Sequence, residues 1–245
     1  MLSSLLNPPP LWCFLTIGIL AKDAAFRSAG TGRVNARWLQ SEAVIKTILF
    51  DLGNVVIPFD FKLAYARMAA LCGCAVEDVP ARIRATGLVA PFERGEIEPE
   101  PFVRELSAAL KLDITYSEFC DWWSSVFLQP TLVSEALLED LRRRHRLLAL
   151  SNTNVIHFAM VKEAYPLLRH FDGYVLSYEV KAAKPEAKIY REAIARAQCD
   201  PGECFFVDDL AVNVEAARAH GIDAVQFLSA EQLERELRAR GVVLA

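Results

Sequence analysis

The sequence lacks several features that would assign it to whole classes of protein. Its formal net charge is −4 over 245 residues, so it offers no basic field for nucleic acid. Its six cysteines are too few and too scattered for a disulfide scaffold, and they predict ordinary thiols in a reducing compartment. Repeats and low-complexity tracts are also absent. We therefore predict a cytoplasmic protein that does not bind nucleic acid, and the sequence makes no prediction of its oligomeric state.

Metal or redox sites built from cysteine and histidine are not indicated either. Cys72 and Cys74 are separated by one residue, which fits neither a zinc knuckle nor a thioredoxin-type pair. No second cysteine pair accompanies them, and the four histidines stand apart from one another. Candidate functional residues must be sought among the other polar side chains.

The sequence has no apolar run that would span a membrane. The stretch from Leu11 to Ala21 is about half the ~20 residues that a spanning helix needs, and no basic segment precedes it as in a signal peptide. The arginines and serines that follow weakly resemble an organelle transit segment. We expect residues 1–43 to be a disordered extension or not part of the native protein, which would then begin at Val44. We expect no membrane association.

What the sequence does contain is enough apolar side chain for a sizeable core. Apolar residues make up 53% of the chain and charged residues 24%, which excludes global disorder. The length fits one large domain, or a domain into which a smaller one is inserted.

The order of elements predicts such an insertion. Thr47 to Phe50 form an apolar run that is typical of a buried parallel strand. The segment from there to Pro130 shows helical periodicity and almost no strand signal, with Ser117 predicted to cap its fourth helix. From Ser134 onward strands and helices alternate, and Lys184-Pro185 is predicted to start one of the helices.

We therefore predict an α/β fold, a doubly wound, Rossmann-like and mainly parallel sheet with an inserted helical cap domain. The predicted core comprises residues 44–59 and 133–245, and the predicted helical cap comprises residues 60–132. Residues 1–43 form the predicted extension.

Polar side chains stand at the carboxyl ends of the predicted strands. Asp51 directly follows the first strand, at the edge where open α/β sheets bind their ligands. A buried carboxylate there is unfavourable unless a cation or hydrogen-bond donors meet it. Ser151-Asn152, Lys184 and Asp208-Asp209 follow later strands or open helices. Each alone is typical of a helix cap, a turn or a solvated loop, but together they make a coherent site.

The chemistry that these residue types favour is phosphoryl transfer. Asp51 and Asp209 would repel each other unless a hard divalent cation lay between them, and their oxygen ligands suit Mg²⁺. Lys184 and the metal would neutralise a phosphoryl group, while the Ser151 hydroxyl would donate to its oxygens. Asp51 would attack phosphorus and form an aspartyl-phosphate that water hydrolyses. The expected partner is a small phosphorylated metabolite.

Four ordered motifs and the helical segment resemble the haloacid dehalogenase superfamily, in its helical-cap phosphatase branch. The resemblance covers roughly residues 45–228. Within the superfamily, the sequence is similar to the bacterial glucose 1-phosphate phosphatase type, whose members also have DLGNV at the first motif. It rests on Asp51-Leu52-Gly53-Asn54-Val55, Leu150-Ser151-Asn152-Thr153, Lys184-Pro185-Glu186-Ala187-Lys188-Ile189-Tyr190, Phe206-Val207-Asp208-Asp209 with Asn213, and Phe92-Glu93-Arg94-Gly95-Glu96-Ile97 in the cap.

The resemblance implies a role for each motif residue. It makes Asp51 the nucleophile and a metal ligand, with the Gly53 carbonyl as a second ligand. It implies that Ser151, Asn152 and Lys184 hold phosphate. The position of Asn213 relative to the two last aspartates makes Asp209 the metal ligand, and Asp208 would support the ligands from behind.

The sequence departs from the superfamily pattern at Gly53. Most phosphatases of this superfamily carry a second aspartate there as general acid and base, a contribution of about 10²–10⁴-fold. A water molecule or a cap residue could take its place. Glu93, Arg94, Trp122 and Trp123 are candidates for contacting the leaving group, although the spacing of the tryptophans also fits the core of the cap.

Two alternative functions remain open at this point. A metal-free 2-haloacid dehalogenase would use the same Asp51 to attack carbon, but the Asp208-Asp209 pair would repel its anionic substrate. A catalytically weak homologue would instead bind a phosphorylated metabolite or a partner protein. Phosphate release with and without magnesium, and chloride release without metal, discriminate the three.

Overall fold

The structure is a computed structural model that describes residues 44–245. Its five strands form one parallel sheet in the order β3-β2-β1-β4-β5, so the first strand of the chain lies at the centre. The extension predicted for residues 1–43 lies outside the described residues. The strands are β1 (Thr47–Phe50), β2 (Arg146–Ser151), β3 (Gly173–Leu176), β4 (Cys204–Asp208) and β5 (Asp223–Gln226).

Helices cover both faces of this sheet, which confirms the predicted doubly wound α/β fold. The α-helices within the described residues are α1 (Phe61–Cys72), α2 (Val79–Thr86), α3 (Val89–Glu93), α4 (Pro99–Leu110), α5 (Tyr116–Ser124), α6 (Glu135–Arg142), α7 (Val155–Ala164), α8 (Ser177–Val180), α9 (Ala187–Ala197), α10 (Ala211–Ala219) and α11 (Ala230–Ala239).

The central strand shows how the two layers are built. Ile48 and Phe50 point into one core with apolar side chains of α6, α7 and α11. Leu49 points into the other core with side chains of α9 and α10. Because successive side chains of a strand alternate between faces, the unbroken apolar run Thr47–Phe50 suits a strand that is buried on both sides.

Helices α1 to α5 lie between β1 and α6, and we refer to residues 60–127 as the helical insert. The chain enters and leaves the insert through two neighbouring segments, because Phe59 and Phe127 form an antiparallel bridge. The Leu128 amide donates to the Pro58 carbonyl at 2.8 Å on the same side. Whether residues 60–132 behave as a separate cap domain stays a prediction.

Within the described residues, no helix is both long enough and apolar enough to cross a membrane.

Two helix starts differ from the sequence-based prediction. The cap of α5 is Thr115 instead of Ser117, because its hydroxyl and the Glu118 carboxylate three residues later form a reciprocal capping box. Helix α9 begins at Ala187, two residues after the predicted Pro185. The Lys184 backbone is held by Asn152 instead of entering the helix. The Glu186 N–H donates to the Ala183 carbonyl at 2.7 Å, so residues 183–186 form a turn before the helix.

Candidate active site

Asp51 lies at the carboxyl end of the central strand and is only 2% exposed. Its backbone N–H donates to the Val207 carbonyl of β4 at 2.9 Å, which extends the sheet pairing by one residue. Its Oδ1 accepts hydrogen bonds from the Leu52 N–H at 2.7 Å and from Lys184 Nζ at 3.0 Å. The carboxylate is therefore fixed by backbone and lysine together, as the sequence-based interpretation of this strand end requires.

Lys184 is buried between two carboxylates. Its Nζ lies 3.0 Å from Asp51 Oδ1 and 2.6 Å from Asp208 Oδ2, and the side chain is fully buried. The Asn152 side chain orients the lysine, because Oδ1 accepts from the Lys184 N–H at 2.7 Å and Nδ2 donates to the Lys184 carbonyl at 2.9 Å. Both polar atoms of Asn152 thus contact the backbone of Lys184, and its predicted contact with phosphate stays a prediction.

Asp208 has donors on both carboxylate oxygens. Oδ1 accepts from the Leu210 N–H at 2.8 Å, and Asn213 Nδ2 lies 3.0 and 3.1 Å from the two oxygens. With Lys184 on Oδ2, this carboxylate is saturated with protein donors. This geometry suits the supporting role that the sequence predicts for Asp208.

Asp209 differs from Asp208 in having a carboxylate oxygen without a hydrogen-bond donor. Its Oδ1 is buried and has no hydrogen-bond partner within the described residues. Asp51, Asp208 and Asp209 each offer one oxygen, and these three oxygens lie within 4.8 Å of one another. A buried oxygen without a donor is rare in folded proteins, and a bound ion is one explanation for it.

The electrostatics of the cluster reflect an excess of negative charge. Burial, together with the nearby Asp208 and Asp209, outweighs Lys184 and raises the pKa of Asp51 to about 8. Burial and the Asp208 charge raise the pKa of Asp209 to about 6. Burial disfavours the charged form of Lys184, but Asp208 and Asp51 hold its pKa above the ordinary value. One lysine therefore does not compensate three carboxylates.

These residues fit a divalent cation with oxygen ligands, such as Mg²⁺. The unpartnered Asp209 oxygen and the adjacent Asp51 would hold it, and the Gly53 carbonyl stays a predicted third ligand. Two further positive charges would favour the ionised forms of both aspartates.

Gly53 is packed against an aromatic ring. A Cβ built at this position would lie 2.7 Å from Phe59 Cε1 and 3.3 Å from Phe59 Cδ1. The chain reaches this arrangement through Asn54, which adopts a left-handed conformation with φ of 53° and accepts from the Phe59 N–H at 3.3 Å. The place of a second aspartate is thus filled by Phe59, and no side chain fits at position 53 unless that ring moves.

Ser151 is the last residue of β2, beside the central strand, and is 3% exposed. The structure therefore brings the predicted residues Asp51, Ser151, Lys184 and Asp209 to one edge of the sheet, with Asp208 behind them. Their predicted roles in catalysis, phosphate binding and metal binding stay predictions until they are measured.

The two tryptophans of the insert lie in its core. Trp122 and Trp123 are buried at 2% and 5% exposure, and Trp122 Nε1 donates to the Ala64 carbonyl at 2.7 Å. Trp123 stacks on Phe119 and also packs edge-on against Phe102. Their spacing along α5 thus serves packing within the insert.

Glu93 and Arg94 lie where the insert meets the sheet edge. Arg94 Nε binds Glu186 Oε1 at 3.1 Å, two residues beyond Lys184. The Ser177 hydroxyl lies 2.7 Å from the Glu93 carbonyl and also contacts the backbone of Thr153. Sequence reasoning missed Ser177, whose only signal is its position directly after a strand.

The sequence comparisons agree with this geometry. A sequence model of the haloacid dehalogenase-like hydrolase family matches residues 45–221. The chain belongs to this family, which confirms the resemblance found in its motifs. It is similar to the D-ribitol-5-phosphate phosphatase of Bacteroides thetaiotaomicron, with 27% identity over 203 residues that cover 79% of this chain and 97% of that protein.

Two solved structures resemble the chain over nearly their whole length. A haloacid dehalogenase family enzyme from Bacteroides thetaiotaomicron, solved with magnesium and inorganic phosphate, matches with a TM-score of 0.72 and 28% identity, covering 79% of this chain and 100% of that one. A haloacid dehalogenase-like hydrolase from Porphyromonas gingivalis matches with a TM-score of 0.69 and 29% identity, covering 80% and 99%.

Proposed function

We propose that this hydrolase is a magnesium-dependent phosphatase of small phosphate monoesters, with sugar and polyol phosphates favoured, and that it works through an aspartyl-phosphate on Asp51. The observation that carries the proposal is the unpartnered Asp209 oxygen next to Asp51 and Lys184. A relative named D-ribitol-5-phosphate phosphatase and a similar structure that holds magnesium and phosphate support the substrate class and the metal.

The residues divide the chemistry between them. Asp51 Oδ bonds to phosphorus as the ester oxygen departs, and water later cleaves the resulting acyl phosphate. Lys184, held in place by Asn152 and Asp208, neutralises the phosphoryl oxygens, and the Ser151 hydroxyl donates to them. Asp51 and Asp209 would hold Mg²⁺, which would supply additional positive charge for the phosphoryl group.

The same geometry weighs against the dehalogenase alternative. A metal-free dehalogenase must admit an anionic haloacid beside Asp51. Here that substrate would meet Asp208 and Asp209 with one lysine to compensate them, and the Asp209 oxygen would remain without a partner. A bound cation would compensate the excess negative charge and give the Asp209 oxygen a partner, and a phosphoryl group could then bind beside Asp51. The cytoplasmic location stays a prediction.

The direct test is release of inorganic phosphate from a panel of sugar, polyol and acid phosphates, with MgCl₂ and with chelator. We expect magnesium-dependent turnover of at least one ester, and at least about 10³-fold loss in Asp51→Asn. Asn keeps the size of the side chain, so the protein should still fold. Mass spectrometry of acid-quenched enzyme should detect the phosphorylated Asp51.

Three outcomes would contradict the proposal. Near-normal turnover by Asp51→Asn would exclude the nucleophile. Chloride release from chloropropionate without metal, and no phosphate release, would restore the dehalogenase. No turnover of any ester above the Asp51→Asn level would leave only a homologue that binds a metabolite or a partner.

A further inference from the structure

The phosphatase proposed above needs a proton donor that position 53 does not provide. Alkoxide ions are poor leaving groups, so a positioned acid near the ester oxygen accelerates the departure by about 10²–10⁴-fold. Gly53 has no side chain, and Phe59 occupies the space beside it. A side-chain donor would therefore have to lie on another segment at the same edge of the sheet, and the inference that follows rests on the proposed phosphatase function.

Glu93 is tied to this edge by its backbone. It is the last residue of α3, and its carbonyl lies 2.7 Å from Ser177 Oγ. That oxygen also accepts from the Thr153 N–H at 2.9 Å, and Thr153 follows the phosphate-binding candidates Ser151 and Asn152. One hydroxyl therefore connects Glu93 to the carboxyl ends of β2 and β3.

The neighbours of Glu93 fix the segment without engaging its carboxylate. Arg94 binds Glu186, and Lys181 Nζ donates to the Gly95 carbonyl. Gly95 has φ of 61°, and a side chain there would collide with the Tyr178 carbonyl. Within residues 44–245, no hydrogen bond or ion pair reaches the half-buried carboxylate of Glu93. Several contacts thus fix the backbone of this turn, while the Glu93 carboxylate has no protein partner within the described residues and could contact a substrate.

We propose that the Glu93 carboxyl is the acid that protonates the leaving-group oxygen, in place of the aspartate missing at position 53. The inserted segment would thus supply part of the catalytic machinery.

The electrostatics of Glu93 support this role. Burial raises its pKa to about 7, against the opposing effect of Arg94. Charged or titratable groups on the elements packed against α3 include Lys181, Tyr178 and Glu179 on or next to α8, Glu186 before α9, and Arg82 and Arg84 on α2. A pKa near the working pH keeps both the acid and its conjugate base populated, which a group that acts in both half-reactions requires.

Protons and bonds balance over the two steps, which are formation and hydrolysis of the aspartyl-phosphate. In the first, the bond between phosphorus and the ester oxygen breaks, the bond between phosphorus and Asp51 Oδ forms, and the Glu93 proton moves to the ester oxygen, giving an alcohol. In the second, the Glu93 carboxylate takes a proton from water, the water oxygen bonds to phosphorus, and the bond from phosphorus to Asp51 breaks.

The test compares two esters in Glu93→Gln. One is the most active sugar or polyol phosphate of the panel, and the other is para-nitrophenyl phosphate, whose phenolate leaves without protonation. We expect kcat/KM for the alkyl ester to fall by about 10²–10³-fold and that for the aryl ester to fall by less than about tenfold. In the pH–rate profile of the wild-type protein with the alkyl ester, activity should fall as pH rises through about 7. This fall should be absent in Glu93→Gln.

Two variants serve as controls. Glu96→Gln removes an exposed carboxylate from the same turn and should leave both esters unchanged. Glu93→Asp keeps the acid on a shorter side chain and should recover part of the alkyl-ester activity. Circular dichroism and the thermal midpoint of each variant check the fold.

Equal losses for both esters, or an unchanged alkaline limb in Glu93→Gln, would overturn the role of Glu93 while leaving the phosphatase intact. Absence of phosphate release by the wild-type protein would instead overturn the proposed function itself. The two failures are therefore distinguishable.

Discussion

The carboxyl edge of the sheet and the core of the helical insert both contain buried side chains, but of opposite kinds. The sheet edge buries Asp51, Lys184 and Asp208, which are held by ion pairs and backbone N–H groups. The insert buries a cluster of rings, in which Phe92 and Phe102 stack with their centroids 3.8 Å apart.

The difference shows how the two regions depend on their residues. Charges in a low-dielectric site are stable only when every partner is present, so each residue of the sheet edge is tied to the others. Aromatic packing is spread over many contacts and tolerates partial loss. The proposed function uses the charged side chains of the sheet edge and residues 93–95 of the insert, which contact the segments next to that edge.

The largest expected effect is loss of the buried lysine. Lys184→Met leaves Asp51 and Asp208 uncompensated, so the free energy of unfolding should fall by about 3–5 kcal/mol. The loss should be larger at pH 8 than at pH 5, because at low pH the carboxyls of Lys184→Met can take up protons. Urea unfolding at both pH values measures it, with the exposed Lys162→Met as control. Equal stability of Lys184→Met and wild type would show that the edge does not depend on this charge.

A slightly smaller effect is expected in the insert. Phe102→Ala removes a ring that is fully buried among Phe92, Phe119 and Trp123, and should cost about 3 kcal/mol. Because the candidate metal ligands Asp51 and Asp209 directly follow strands of the sheet and lie outside the insert, magnesium-dependent stabilisation should be retained. Urea unfolding with and without MgCl₂ tests both statements, and the exposed Leu63→Ala is the control. Loss of the magnesium-dependent stabilisation in Phe102→Ala would show that the packing of the insert and metal binding at the sheet edge are not independent.

The smallest of the three effects is the stabilisation by metal. A ligand that binds only the folded state at 100 times its Kd stabilises by about 2.7 kcal/mol, so MgCl₂ should raise the thermal midpoint of the wild-type protein. Asp209→Asn should largely abolish that rise, because it removes the negative charge of the carboxylate whose Oδ1 has no hydrogen-bond partner in the described part of the chain. The exposed Asp121→Asn should keep it. An unchanged rise in Asp209→Asn would assign the metal to other ligands.

The sheet edge could be predicted from the sequence because its signals are local. A largely apolar run of four residues followed by Asp51, Ser151 or Asp208 predicts a buried strand with a polar end. The parallel arrangement then brings those ends together. Even the cap of α5 had a local signal, since Glu118 stands three residues after Thr115.

The remaining features could not be predicted because they depend on contacts between distant segments. Phe59 fills the space at Gly53 only because the chain turns back through a left-handed Asn54. Asn152 is engaged by a backbone 32 residues further along the chain. The availability of the Glu93 carboxylate follows from what its neighbours bind instead, which no spacing rule reports.

The Ser177 hydroxyl has a consequence for the energetics of separating the insert from the sheet. It lies 2.7 Å from the Glu93 carbonyl and 2.8 Å from the Thr153 carbonyl, but it has a single proton to donate. If residues 93–95 move away, that proton can stay with Thr153, so no donor is stranded without an acceptor. The freed Glu93 carbonyl gains water at the same moment. Separation of the two segments would therefore leave no buried hydroxyl without an acceptor, and would avoid the free-energy penalty that such a group carries.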